Sequence, residues 1–197
     1  MKVVIVSDTH GSFYELKKII AAERPFDVLV HCGDVCGELQ YALGERRDYH
    51  LRAVGGNCDY EGNLPKELVF LLGDYHRVYL SHGDLLNVRR DNRNLVRMAK
   101  QNGCDIAMYG HTHVPEVTEE EGVTVINPGS PVRPRGGSHP SYAVMEIEDG
   151  TGKLAVLQKI VLRLSPLSMA SCTFASNSFG SAHTLVFTSG ASPSLAP

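Results

Sequence analysis

Positive charge is not in excess in this 197-residue chain, where 19 Lys and Arg stand against 22 Asp and Glu for a formal net charge of −3. Without a general basic field, neither long duplex nucleic acid nor an anionic membrane is expected as the main partner, whereas small anionic ligands remain compatible. Cysteine is sparse and odd in number: Cys32, Cys36, Cys58, Cys104 and Cys172 lack the density of a secreted disulfide scaffold and point to a reducing, cytoplasmic setting. Long hydrophobic runs are missing too. Only Val3 to Val6 precede the first polar cluster, too few for the apolar core of a signal peptide, and no stretch reaches membrane-spanning length. Internal repeats and a clean interdomain linker are absent before residue 164. Charge disappears altogether from residues 165–197, a Ser- and Ala-rich stretch expected to be a disordered or loosely attached tail in which only Thr184 to Thr188 reads as strand-like.

The remaining residues, 1–164, carry every charge, and the 43% hydrophobic content of the chain suffices for a substantial core. Short apolar runs alternate with amphipathic stretches. Lys2 to Ser7 reads as a buried strand, and Ser12 to Glu23 as a helix with Ser12 as N-cap, Glu15 completing a capping box, and Leu16, Ile19 and Ile20 facing inward. Further strands are expected at Asp27–His31, Leu51–Val54, Val69–Leu72 and His76–Ser81, the last two forming a hairpin about Gly73-Asp74, with a looser helical segment around Gly37–Leu43. A second helix is expected at Asn92–Asn102, followed by strands at Ile106–Tyr109, Val114–Thr118, Val123–Ile126, Tyr142–Glu148 and Leu154–Leu164. The run Glu119-Glu120-Glu121-Gly122 reads as a charged hairpin turn. The economical reading is one mixed α/β domain.

Polar clusters stand at five strand exits: Asp8-Thr9-His10, Gly33-Asp34, Gly56-Asn57-Cys58-Asp59, Ser81-His82-Gly83-Asp84 and Gly110-His111-Thr112-His113. In open α/β sheets the functional cleft lies beyond the carboxyl ends of the strands, so these clusters can converge. Residues two apart in extended backbone project to one side, which lets Asp-x-His and His-x-His approach one ion. Counting donors gives Asp8, His10, Asp34, Asn57, His82, His111 and His113. Seven are too many for one catalytic metal but suit two ions sharing Asp34, and an imidazole, carboxylate and amide set without thiolate favours first-row ions such as manganese, iron, zinc, nickel or cobalt. Cys32 and Cys36 are read as separate structural thiols. His50, His76, His139 and His183 are read as ordinary histidines, and so is His31, with support of Asp34 as its sharper alternative. Arg133 and Arg135, near Gly129-Ser130 and Gly136-Gly137, are candidates to bind phosphate oxygens, and Asn57 is a candidate substrate-binding residue as well as a donor to metal.

The order D-x-H, G-D, G-N-x-D, H-G, G-H-T-H resembles the calcineurin-like metallophosphoesterase superfamily, and Gly56-Asn57-Cys58-Asp59 with Asn127-Pro128-Gly129-Ser130 is similar to its small YfcE-type phosphodiesterases, over residues 1–164. The resemblance implies a four-layer α/β/β/α sandwich of two mixed sheets flanked by helices. It implies two divalent ions, manganese first with nickel, zinc, iron or cobalt as alternatives: one held by Asp8, His10, Asp34 and His113, the other by Asp34, Asn57, His82 and His111, with a bridging hydroxide attacking a small phosphodiester. Cys58 stands where many relatives carry a histidine that protonates the leaving group, so Cys58 is the candidate general acid, and a poor one. A protein-binding scaffold of the same fold, as in the Vps29 subunit of retromer, and a nucleotide-directed phosphoesterase are the alternatives. The intact donor set favours an enzyme. Homo-oligomers remain open.

Overall fold

The computed structural model describes residues 1–44, 47–59 and 64–161, together with a two-residue strand at Phe187–Thr188. The chain runs β1 (Lys2–Val6), α1 (Phe13–Glu23), β2 (Val28–His31), α2 (Leu39–Leu43), β3 (His50–Ala53), β4 (Glu67–Leu72), β5 (His76–Ser81), a 3₁₀ turn (Asp84–Leu86), α3 (Arg93–Gln101), β6 (Ile106–Met108), β7 (Glu116–Glu120), β8 (Val123–Asn127), β9 (Ser141–Ile147), β10 (Leu154–Ile160) and β11 (Phe187–Thr188). Two mixed sheets result, ordered β11-β10-β9-β1-β2-β3 and β4-β5-β6-β8-β7. In the first, β1, β2 and β3 are parallel while β9 pairs antiparallel with β1. In the second, β5, β6 and β8 are parallel and β4 and β7 flank them antiparallel.

Side-chain alternation sorts the strands into layers. Val3 and Ile5 of β1 and Val28 and Val30 of β2 point into a core shared with Leu72, Val78, Leu80, Ile106, Met108 and Ile126 of the second sheet. Their neighbours Val4, Val6 and Leu29 point the other way, onto Leu16, Ile19 and Ile20 of α1 and Leu39 of α2. On the far face of the second sheet, Tyr79, Ala107, Val123 and Val125 receive Leu95, Val96 and Ala99 of α3. The order is therefore helix, sheet, sheet, helix. Because central strands are covered on both faces, they read in the sequence as unbroken apolar runs.

Several local expectations are corrected. Ser12 is the N-cap of α1, but its side chain makes no cap hydrogen bond, and Glu15 pairs instead with Lys18 at 3.3 Å. The loop ahead of the helix sets its start: Ser12 N donates to Thr9 O at 2.9 Å and Gly11 N to Val35 O at 2.8 Å. In α3 Ala99 joins Leu95 and Val96 in the core, and the partly buried Met98 packs against them. The strand expected from Val114 begins at Glu116, because Val114 N is taken by Thr112 Oγ1 at 3.2 Å and Pro115 has no N–H to give. The turn of the acidic hairpin narrows to Glu121 and Gly122, both at positive φ, while Glu119 and Glu120 belong to β7. Of the segment 165–197 only Phe187–Thr188 is described; it pairs antiparallel with Ala155–Val156 at the edge of the first sheet, and the rest of the expected tail lies outside the described residues. Among the described residues no helix is long and apolar enough to cross a membrane.

Candidate metal centre

The parallel strands of both sheets end at one side of the sandwich, and the loops leaving them are tied to one another. Asp8 N donates to Gly33 O and His10 N to Asp34 O, each at 3.0 Å, which fixes the β1 exit to the β2 exit. Gly110 N donates to His82 O at 3.1 Å, joining the β6 and β5 exits. Three bonds cross between sheets: His82 Nδ1 to Cys32 O at 2.7 Å, His111 N to Asp8 Oδ2 at 3.1 Å, and Ser130 Oγ to Asp8 O at 2.8 Å. Asp8, Asp34, His82 and His113 are buried by this closure. It also explains two glycines. A Cβ at Gly56 would lie 2.1 Å from Asp34 Oδ1, and one at Gly110 would lie 1.9 Å from Ser7 Oγ and 2.7 Å from Asp8 Oδ2.

The donor atoms of Asp8, His10, Asp34 and His113 all lie within 4.8 Å of one another. His113 Nδ1 donates to Arg133 O at 2.5 Å, so Nε2 carries a lone pair; it faces Asp8 Oδ1 at 3.1 Å and His10 Nε2 at 3.3 Å. His82 is arranged alike: with Nδ1 donating to Cys32 O, its Nε2 lone pair points at Asp34 Oδ1, 3.4 Å away, and Asp8 Oδ1, 4.0 Å away. Asp8 Oδ1 and His82 Nε2 are both buried without a hydrogen-bond partner. Buried acceptors facing acceptors repel, and a cation between them removes the penalty. This donor set fits divalent metal. Without one, the carboxylates of Asp34 and Asp8 hold the His82 imidazole above its ordinary pKa against the opposing effect of burial, and His82 in turn helps hold Asp34 well below the carboxylate range despite the same burial effect.

Backbone strain concentrates in the same place. Asp8, His10, Asp34, Cys36, His111 and His113 all have positive φ, six of the eight such residues other than glycine among those described. Left-handed backbone at non-glycine residues is held only where surrounding bonds over-determine it, and here those bonds aim side chains at a common point.

Of the seven donors expected from the sequence, four form this group, and His82 Nε2 adjoins it through Asp34 and Asp8. The ring of His111 stands edge-on to that of His82 with centroids 5.2 Å apart, beside the four-residue group. Asn57 is exposed at the rim, with its Nδ2 on Cys58 Sγ at 3.4 Å. Cys58 N donates to Asp34 Oδ1 at 2.8 Å; burial and that carboxylate push the thiol up to about 12, which makes it a weaker acid than an ordinary cysteine. Arg133 and Arg135 are exposed. The Arg133 charge is felt at His10 and Cys36, placing it on the cleft, whereas Arg135 offers its backbone N–H to His113 O at 3.2 Å.

Other residues escaped the sequence reading or were placed differently by it. Asp59 clamps two exits, taking Gly56 N at 2.8 Å, Val35 N at 3.2 Å and Cys36 N at 2.7 Å. Asn127 Nδ2 donates to Gly110 O at 2.9 Å and to Thr112 Oγ1 at 3.0 Å, bracing the His111–His113 loop. Both belong to motifs visible in the sequence, but nothing there says which loop they brace. Arg89, whose charge is felt at His111, has no sequence signal. His31 is a satisfied core histidine that braces loops: its Nδ1 accepts Gly33 N at 3.3 Å, so Nε2 donates to Thr9 Oγ1 at 3.0 Å. The paired reading of Cys32 and Cys36 as structural thiols holds for Cys32, which lies in the inter-sheet core, but not for Cys36, which faces His10 and Cys58.

Known proteins share this arrangement of sequence and fold. Residues 1–150 match the family model described as the calcineurin-like phosphoesterase superfamily domain. The Bacillus subtilis protein named probable metallophosphoesterase YsnB is 33% identical over 150 residues, covering 76% of this chain and 86% of its own. Phosphodiesterase YfcE of Escherichia coli K12 is 29% identical over 170 residues, 74% of this chain and 88% of its own, and the solved structure of the E. coli protein aligns with a TM-score of 0.58 over 80% of this chain and 91% of that one. The fold alone is shared with a Vps29 single mutant from Entamoeba histolytica, at 24% identity and a TM-score of 0.66 over 80% of this chain and 91% of that one.

Proposed function

Because this chain belongs to the calcineurin-like phosphoesterase superfamily, we propose that its cleft hydrolyses small phosphodiesters at a centre of two divalent ions, manganese first among them. The observation that carries this reading is the pair of orphaned buried acceptors, Asp8 Oδ1 and His82 Nε2, on either side of Asp34. One ion would be held by Asp8, His10, Asp34 and His113, the other by Asp34, Asn57, His82 and His111. When bound, the pair supplies positive charge for the phosphoryl oxygens and lowers the pKa of water enough for it to attack.

The chain's own residues do the rest. His113 and His82 keep their lone pairs on Nε2 because carbonyl oxygens of Arg133 and Cys32 hold the Nδ1 protons. Arg133, whose charge is felt at His10, would bind phosphate oxygens. Cys58 gives little help in protonating a leaving group, since its thiol is such a weak acid. Diesters with acidic leaving groups are therefore the favoured substrates, in a reducing cytoplasm that keeps the thiols free.

The deciding experiment is hydrolysis of paired chromogenic phosphodiesters and phosphomonoesters by protein reconstituted with each first-row metal, with a chelator control. Chelator-sensitive hydrolysis that falls as the leaving group becomes more basic is expected. Hydrolysis of neither ester class under any metal would overturn the enzyme reading in favour of a binding scaffold.

A further inference from the structure

Beside the carboxylate and imidazole centre lies a second cluster of a different chemical kind. Cys36 leaves the β2 exit and Cys58 the β3 exit, and their sulfur atoms and a ring nitrogen of His10 all lie within 4.8 Å of one another. Cys36 Sγ is 3.7 Å from His10 Nδ1 and 3.7 Å from Cys58 O. The cluster is held by the framework that holds the centre: Asp59 fixes Cys36 N, while Asp34 fixes Cys58 N through Oδ1 and His10 N through its carbonyl oxygen. Cys36 and Cys58 are partly exposed, so an ion from solvent can reach their sulfur atoms, and the His10 side chain lies buried behind them.

Two thiolates and an imidazole form a soft donor set, which selects zinc-class and heavier thiophilic cations over manganese or magnesium. We propose that His10 Nδ1, Cys36 Sγ and Cys58 Sγ form a separate thiophilic cation site whose occupation is incompatible with His10 serving the neighbouring centre. Binding balances as follows. The two thiols release their protons to solvent and bind as thiolates, and the lone pair of Nδ1 binds the same ion. The one ring proton of neutral His10 then sits on Nε2, which faces His113 Nε2 at 3.3 Å and Asp34 Oδ2 at 3.9 Å, and Nε2 ceases to be a donor to metal there. A thiophilic ion thereby withdraws one ligand from the proposed hydrolytic centre. Only this last consequence rests on the function proposed above.

The test is a cadmium titration of the reduced, metal-stripped full chain, read by the ultraviolet thiolate-to-metal charge-transfer band. The band is expected to grow to saturation in the wild type, to be lost in Cys36→Ser and in Cys58→Ser, and to persist in Cys104→Ser, Cys172→Ser and His111→Ala, the last of which removes a ligand of the other centre while leaving this cluster whole. Absence of a band in the wild type, its survival in either Cys36→Ser or Cys58→Ser, or its loss in Cys172→Ser would overturn the site. In manganese-loaded protein, cadmium is expected to inhibit the wild type at least tenfold more strongly than Cys36→Ser; equal inhibition would overturn the incompatibility. A protein that shows the band but hydrolyses no ester refutes the proposed function and leaves the site standing.

Discussion

His82 Nδ1 donates to the main-chain carbonyl of Cys32 at 2.7 Å, from the end of one sheet to the end of the other. That single bond fixes the tautomer of a buried imidazole and aims its other nitrogen at Asp34. The polar chemistry of the cleft thus depends on how the two sheets pack.

Asp34 is contacted from both sides of the centre, so Asp34→Ala is expected to lower metal-dependent phosphodiester hydrolysis by at least about a thousandfold, the rate equivalent of losing several kcal/mol of metal stabilisation. Far-ultraviolet circular dichroism should remain that of the wild type. Activity within tenfold of wild type would remove Asp34 from the site.

Glycine is required at 56 and 110 by proximity rather than by backbone conformation. Gly110→Ala puts a methyl group 2.7 Å from Asp8 Oδ2, and Gly56→Ala puts one 2.1 Å from Asp34 Oδ1. Each should cost about 2 kcal/mol or more in urea denaturation and weaken manganese binding measured by calorimetry. Gly122→Ala, whose added carbon meets nothing within 4 Å, should leave metal binding unchanged.

His31 gives the fold an acid sensitivity of its own. Burial lowers its pKa from 6.5 to about 4, so between those values the unfolded chain binds a proton that the folded one does not. Stability from this residue is complete above pH 6.5 and is lost as pH falls towards 4, by about 3 kcal/mol in all. Depressed carboxylates such as Asp8 also lose stability in acid, and the measurement separates the two: urea midpoints between pH 7 and 4 should fall less steeply in His31→Gln than in the wild type.

Glu23 is buried at the end of α1, where it accepts from Tyr142 Oη at 2.6 Å and from Lys159 Nζ at 2.9 Å and pairs with Lys2 Nζ at 3.0 Å. Removing it strands a buried phenol and two ammonium groups. Glu23→Ala should therefore destabilise by about 2 to 3 kcal/mol and Tyr142→Phe by about 1 kcal/mol, with hydrolysis unaffected by Tyr142→Phe.

Residues 165–197 contribute to the described structure only the pairing of Phe187–Thr188 with the edge strand β10. Truncation after Leu164 should shift the thermal midpoint by less than about 4 °C and leave activity intact. A larger loss in scanning calorimetry would show that the segment packs on the core.

The donor cluster was legible in the sequence because each member sits at a strand exit, and strand exits announce themselves where an apolar run breaks into Gly, Asp and His. Asp8 and His10, or His111 and His113, need no knowledge of tertiary structure to be paired. What could not be read was contact across long separations. Nothing local tells that Cys36 will meet Cys58 rather than Cys32, because that depends on β2 and β3 lying side by side. The capping box failed for the opposite reason: Ser12 and Glu15 have the right spacing, but the preceding loop is committed to the metal cleft and dictates the start of the helix. Strand boundaries at Glu116 and His50 shifted by one or two residues because loop hydrogen bonds decide where a ladder begins.

The position of β1 between β2 and β9 also bears on synthesis at the ribosome. Lys2–Ile5 must wait for Ala143–Glu146 before its second edge is paired. A nascent chain that has made β1, α1 and β2 still exposes an apolar, unpaired strand edge at the middle of its future sheet, the kind of surface that recruits chaperones or other chains. Folding of the first sheet is therefore completed from the far end of the domain, and Asp8, at the tip of β1, is locked in place only when the last strands arrive.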